Sequence, residues 1–309
     1  MNKSLSKYKN RVRDFDHLSI FQEAWYLESL CTEGNITWIE KVELEETFIW
    51  PIYLKKKWGF RYISMPHLCK WMGPISTNPI SLPPISFSNL KSKFPTYDYF
   101  EQNIPYTFYN SLEIGTESSY LTKCFSYELN LTPPLLEIYS NLNSDYRNNK
   151  LPKAEKLHMV LDDEISQMVD LQFSSYQYGD YNPPFDKSFL TRHIETILSH
   201  KQGRVMSLYN DEKKIAAAIF LIWDAERAYY HLAGMDPNLR KTGASIRLIW
   251  ESIKYAKEVL RLGVYDFEGS MIPSIERVRV NFGGKKKYYW KLKHNNSKAF
   301  KLLSNIRRT

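Results

Sequence analysis

Acidic residues are missing from both ends of this chain, glycine is scarce, and no apolar run reaches membrane length. Each absence excludes something. With only 12 glycines in 309 residues, the chain has no G-x-x-x-x-G-K-S/T phosphate loop, no G-x-G-x-x-G, no G-x-S-x-G and no H-E-x-x-H. Nucleotide hydrolases, dinucleotide enzymes, serine esterases and zinc peptidases built on those motifs are therefore excluded. Cys31, Cys69 and Cys124 are odd in number, far apart and form no C-x-x-C pair, which argues against a disulfide framework or a zinc centre. No window supplies the roughly 18 apolar residues of a membrane span. Met1 to Asp14 is polar and basic, with no apolar signal core. The expectation is a cytoplasmic protein with reduced thiols and no metal.

Basic charge is concentrated where acid is absent. Lys285 to Thr309 holds nine Lys/Arg, and residues 1–13 hold five, so the remainder carries a net −6 against the overall +8. Basic ends around a mildly acidic body steer a protein toward phosphates, whether of a cofactor, a transfer RNA or an anionic surface. They are equally compatible with solvated tails that only aid solubility. Hydrophobic residues at 43% and aromatics at 15% exclude a disordered chain and favour strands and clefts.

The apolar spacing predicts two halves with similar element order. In the second, Leu157 to Leu161 reads as a strand, and Asp162 to Gln177 and Lys187 to Ser199 as helices. Arg204 to Tyr209, Lys214 to Trp223 and Ala228 to Leu232 form a meander, whose middle member is apolar on both faces and so central. A helix from Ala244 to Leu260 ends at Gly263. A strand at Val264 to Phe267, a helix near Ser274 to Phe282 and a last strand at Tyr288 to Leu292 complete the half. The first half offers a helix near Phe21 to Cys31 and strands at Thr37 to Val42, Phe48 to Leu54 and Phe60 to Met65. Prolines from Pro66 to Pro84 then forbid the long helix of the second half. Tyr120 to Leu131 reads as a strand, and Thr132 caps a helix running to about Leu142. The polar stretch Asn143 to Lys153 suggests domains 1–145 and 146–309.

The segment from Ala228 to Leu292 carries the chemistry. A strand feeding a polar loop and then Thr242-Gly243-Ala244 at a helix start presents outward N–H groups and a favourable dipole to an anion. Gly243, Ala244 and Ser245 would hold a phosphate or ester region, with Arg240 adding charge-assisted bonds; the plain alternative is a helix start after a turn. Glu268 sits just past a strand end, placed to act as general base, and Asp266 lies two residues before it on the same side. Glu268 could instead cap the next turn or bind Arg277. His231, alone in an apolar strand, reads first as a packed core residue.

These residues resemble a known group. Arg240-Lys241-Thr242-Gly243-Ala244 between strand and helix is similar to the GNAT acyltransferase pattern R/Q-x-x-G-x-G/A, with Ser245 where the pattern has Gly or Ala. Tyr229-Tyr230-His231-Leu232-Ala233-Gly234, Asp236-Pro237 and Asp266-Phe267-Glu268-Gly269-Ser270-Met271-Ile272-Pro273 look like the FemAB-type branch. So do Glu276-Arg277 and, in the first half, Tyr53 to Lys57 with Gly59 to Ile63. The resemblance implies an α/β fold of mixed sheets, as two tandem GNAT-like domains with the first degenerate. It implies transfer of an acyl or aminoacyl group to an amine from acyl-CoA or aminoacyl-tRNA. It also implies Tyr230, Ser270 and Arg277 as substrate contacts and a cell-wall, envelope or polysaccharide precursor as acceptor. The alternative is a non-catalytic module that binds RNA or an anionic surface through its basic ends.

Overall fold

The computed structural model describes residues 3–13, 15, 18–31, 34–43, 46–76, 85–108, 112–113, 119–269 and 273–301. The chain divides into two compact units, residues 1–125 with 288–309, and residues 126–287. Among the described residues no helix is long and apolar enough to cross a membrane.

Unit 1 opens with α1 (Lys3–Val12) and α2 (Ala24–Ser29), followed by β1 (Gly34–Glu43), β2 (Glu46–Lys57), β3 (Phe60–Ser64) and β4 (Ile75–Ser76). It continues through β5 (Ile85–Ser86), α3 (Phe87–Leu90), β6 (Tyr99–Ile104), β7 (Leu112–Glu113) and the first half of β8 (Ser119–Asn130). The β1-β2-β3 meander is antiparallel, and β3 joins β6 in parallel. The aromatic content is used here. Trp50, Phe87, Phe94 and Phe100 are buried together, with edge-on or tilted ring contacts at 5.1–6.5 Å. A second cluster sets Leu5, Tyr8 and Leu27 against Ile36, Ile49 and Tyr53. The basic N-terminal segment is thus an amphipathic helix with a buried stripe.

Unit 2 holds α4 (Leu135–Ser140), α5 (Leu151–Ala154), β9 (His158–Leu161), α6 (Ile165–Tyr178), α7 (Lys187–Ser199), β10 (Gly203–Tyr209), β11 (Ile215–Trp223) and β12 (Arg227–Met235). Then come α8 (Ala244–Lys254), continued by a π-turn to Val259, β13 (Val264–Asp266) and α9 (Pro273–Asn281). The order β9-β10-β11-β12 is antiparallel, β12 pairs β13 in parallel, and β13 pairs residues 128–130 of β8. As its two-sided apolar pattern requires, β11 is central, and Ala216 to Ile222 are all buried. Gly234 is needed because β12 runs directly against α6: a Cβ there would lie 2.7 Å from the Leu171 carbonyl carbon.

Three details depart from the sequence expectation. The boundary at 145/146 falls inside unit 2, where Asn143 N–H donates to Asn281 O (2.8 Å) and the Tyr146 ring lies 5.2 Å from that of Phe282. Thr132 does not cap α4: its own N–H is taken by Asn130 Oδ1, and Pro134 is the cap residue. The last strand, β14 (Lys285–Asn295), leaves unit 2 at Tyr288 and pairs with β6 in unit 1. That strand closes unit 1 rather than the second half, a long-range pairing that local periodicity does not encode.

Candidate active site

The site begins where a ladder ends. Pairing of β12 with β13 covers only Arg227–Tyr229 against Val264–Asp266. Beyond Tyr229 the described ladder ends, so the two strands part there. On the other edge the register with β11 shifts: Phe220 faces Leu232 and Leu221 faces Tyr230, leaving His231 as the extra residue of a β-bulge. A bulge breaks strand alternation and re-aims the side chain it carries. A cavity of about 220 Å³ lies beside the parted strand, lined by Ser175, Ala218, Tyr230, Gly234, Met235 and Ser245 among others.

His231 points inward, its side chain 1% exposed, and its Nδ1 is 2.8 Å from Glu268 Oε1, whose side chain is 20% exposed. On the other side, His231 Nε2 is 3.4 Å from Nε2 of His193, which is fully buried on α7. His193 sits on the apolar stripe of a helix fixed by its Asp186 cap, which accepts from Phe189 N–H at 2.7 Å. Burial, reinforced by the nearby His231, holds the His193 pKa well below its ordinary value, so this imidazole stays neutral. The result is a chain of titratable groups running from the core to a partly open carboxylate. Glu268 itself adopts φ +54°, a left-handed conformation unusual for a side chain of its size.

Asp266 holds this turn. It is fully buried, and its Oδ1 accepts from Ser126 Oγ (2.9 Å) and from the Glu268 backbone N–H (2.8 Å). The expected pairing of two carboxylates facing one cleft is therefore not what the structure holds: Asp266 shapes the backbone that presents Glu268. The arginine beside them is Arg279, buried on α9. Burial lowers its pKa, opposed by the charges of Glu268, Tyr230, Asp266 and Tyr127. Arg277 is exposed and lies outside this group. Tyr230 lines the cavity, and burial pushes its hydroxyl up to about 12, with Arg279 opposing. Glu268 is not part of the cavity wall, and Tyr230 links the two because Arg279 acts on both.

The glycine turn is present with a different reason. Gly243 is left-handed (φ +83°), but a Cβ there would lie 2.5 Å from the Lys150 carbonyl oxygen, so the close approach is to the chain itself. The Ala244 N–H is 3.3 Å from Thr242 Oγ1, which removes one expected donor. Ser245 lines the cavity with its Oγ 2.8 Å from Met235 Sδ. Arg240 lies over the Tyr178 ring at 5.3 Å and donates to its hydroxyl at 3.2 Å. Ser270 lies outside the described residues. Among the described residues, no three His, Cys, Asp or Glu are grouped as metal ligands.

The sequence reading named Glu268 and Tyr230, took His231 as core, and did not single out His193 or Arg279, which the structure places beside them. A histidine on the buried stripe of α7, between Phe189, Leu190, Ile194 and Ile197, was the available signal. The two-residue spacing of Arg277 and Arg279 was the other, since only one of them faces inward.

Residues 143–273 match the family model described as acetyltransferase (GNAT) domain. No curated protein matches the sequence significantly. Among solved structures, FemX is similar at TM-score 0.64 and 10% identity, covering 94% of this chain and 96% of that one. L-PGS from Bacillus licheniformis is similar at TM-score 0.56 and 10% identity, covering 98% and 96%. The C-terminal domain of an Agrobacterium fabrum protein named as a lysylphosphatidylglycerol synthetase reaches 0.53 at 11% identity, covering 95% and 93%. Residues 143–273, which include the point where the sheet parts, thus carry a GNAT-type acetyltransferase domain. The whole chain shares its α/β fold with FemX.

Proposed function

We propose that unit 2 transfers an acyl or aminoacyl group from acyl-CoA or aminoacyl-tRNA to an amine, with Glu268 as the proton acceptor. The observation that carries this reading is the 2.8 Å contact between Glu268 Oε1 and the bulged His231, on the strand where the sheet parts. In the reaction, the amine nitrogen bonds to the carbonyl carbon and the bond to the thioester sulfur or ester oxygen breaks. The amine proton goes to the Glu268 carboxylate, and the leaving group takes up a proton. His231 acts through Glu268: it fixes the carboxylate's direction, and His193 fixes the ring in turn. The cavity bounded by Tyr230, Gly234 and Ser245 receives the donor's reactive end, and Arg240 adds positive charge for the donor's phosphates. Asp266 supports the base by shaping its turn.

An envelope precursor as acceptor is supported by the fold shared with a protein named as a lysylphosphatidylglycerol synthetase. Location in the cytoplasm, where both donors are made, accompanies that reading. The test is transfer to an amine acceptor, followed by mass spectrometry of the product, with acetyl-CoA in one arm and aminoacyl-tRNA in the other. Product in one arm identifies the donor class; product in neither, from folded protein, overturns the proposal.

A further inference from the structure

Unit 1 carries a polar recess that the acyl-transfer reading does not use. One face of β2, β3 and β6 builds the aromatic core with Trp50, Ile63 and Phe100. On the opposite face, strand register aligns Lys55 with Tyr62 and Tyr99 in one row, and Tyr53 with Ser64 in the next. Glu101 follows Tyr99 by two residues on the same face, opposite Lys293 of β14. Lys55, Lys57, Trp58, Tyr62, Ser64 and Glu101 line a cavity of about 340 Å³ there, within the range of small-ligand sites.

The lining has unspent chemistry. Ser64 Oγ is shielded from solvent and has no hydrogen-bond partner among the described residues. The Lys55 ammonium has no hydrogen bond or ion pair with any described residue. Lys57 Nζ lies 4.9 Å from the ring centre of Trp58, which is 65% exposed and left-handed at φ +51°. Burial alone would raise Glu101, but the Tyr99 hydroxyl (2.5 Å), Lys293 (3.2 Å) and Lys291 (3.6 Å) outweigh it and keep the carboxylate ionised. Its charge is therefore answered within the protein, whereas Lys55 has no carboxylate partner among the described residues and Lys57 faces only the Trp58 ring.

We infer that this recess binds a phosphorylated sugar. Two ammonium groups without an arginine fork suit a phosphate, which accepts from any direction, better than a planar carboxylate. Ser64 Oγ and the fixed Glu101 carboxylate suit ring hydroxyls. Phe300 packs edge-on against Tyr62 at 5.4 Å and tilted against Tyr99 at 5.0 Å, so both rings are already partly covered within the protein and offer their hydroxyls more readily than a flat stacking platform. That lining disfavours a flat base and favours a polyol, with Met65 and Trp58 covering its C–H surface.

Calorimetric titration with glucose 1-phosphate tests this, with glucose and inorganic phosphate titrated separately. The expected result is saturable binding, about tenfold or more tighter than either component. Lys55→Met, which keeps the apolar stem, should weaken it about tenfold, and Ser64→Ala a few-fold. Lys56→Ala, on the alternate face of β2, should leave it within about twofold, because successive side chains point to opposite faces. Absence of saturation below about 10 mM, equal affinity for inorganic phosphate, or equal losses in Lys55→Met and Lys56→Ala would each overturn the site. A melting curve unchanged in Lys55→Met separates loss of binding from loss of fold.

Discussion

Each unit buries a histidine completely, and the two differ in what lies beyond it. In unit 1, His294 Nδ1 meets the Tyr97 hydroxyl at 2.9 Å among Phe87 and Phe94, and the Tyr97 hydroxyl is itself held protonated by burial. In unit 2, His193 meets a second histidine, and that one meets a carboxylate at the surface. Burial alone is therefore no sign of function. A polar group bonded to a hydroxyl that stays neutral is a solved packing problem, whereas a buried imidazole joined to another imidazole and a carboxylate is a path for charge.

The sharpest way to break this comparison is at the end of the path. Glu268→Gln keeps the shape and removes the basicity, so kcat should fall by about 10² to 10⁴ with an unchanged melting curve. His231→Gln should lower kcat less and displace the pH profile, which a purely structural role would not do. A loss below a few-fold in Glu268→Gln would put unit 2 in the same category as unit 1.

The counterpart in unit 1 is a stability effect. Burial, with the charge of Lys91, lowers His294 from 6.5 to about 4. The unfolded chain takes up a proton near 6.5 and the folded chain resists until about 4. Stability from this group is therefore full above pH 6.5 and lost as pH falls toward 4, by about 3 kcal/mol as an order of magnitude. Urea unfolding of the wild type and His294→Gln between pH 7.5 and 4.5 should show the steeper fall in the wild type.

Gly243 gives a smaller effect. Gly243→Ala forces a Cβ against Lys150 O in a left-handed turn and should cost about 1–3 kcal/mol, read as a drop in unfolding midpoint. If donor binding falls with no loss of stability, the turn serves the ligand rather than the fold. The least effect is expected from Arg277→Ala, an exposed change within about 0.5 kcal/mol and with kcat nearly unchanged. Arg279→Ala should lower activity clearly, since it strips the buried cation beside Glu268 and Asp266.

Most of unit 2 was legible in the letters. Periodicity located α7 at its observed ends and made β11 central, because a strand buried on both faces has no polar alternation to hide. Glu268 was legible as a carboxylate after a strand. Its partner was not: alternation assumes an unbroken pleat, and a bulge at His231 resets the side on which every later residue falls. Asp266 was misread for a related reason. Two positions apart predicts one face only while the strand continues, and β13 stops at Asp266 itself. In unit 1, β6 and α1 went unseen because short or polar segments draw their order from distant partners.

Beyond Tyr229 the described ladder between β12 and β13 ends and the two strands part. An extended molecule lying along that parted edge would be gripped by main-chain amides and carbonyls, which every amino acid supplies alike. Evolution can then rewrite almost every neighbouring letter without erasing the grip.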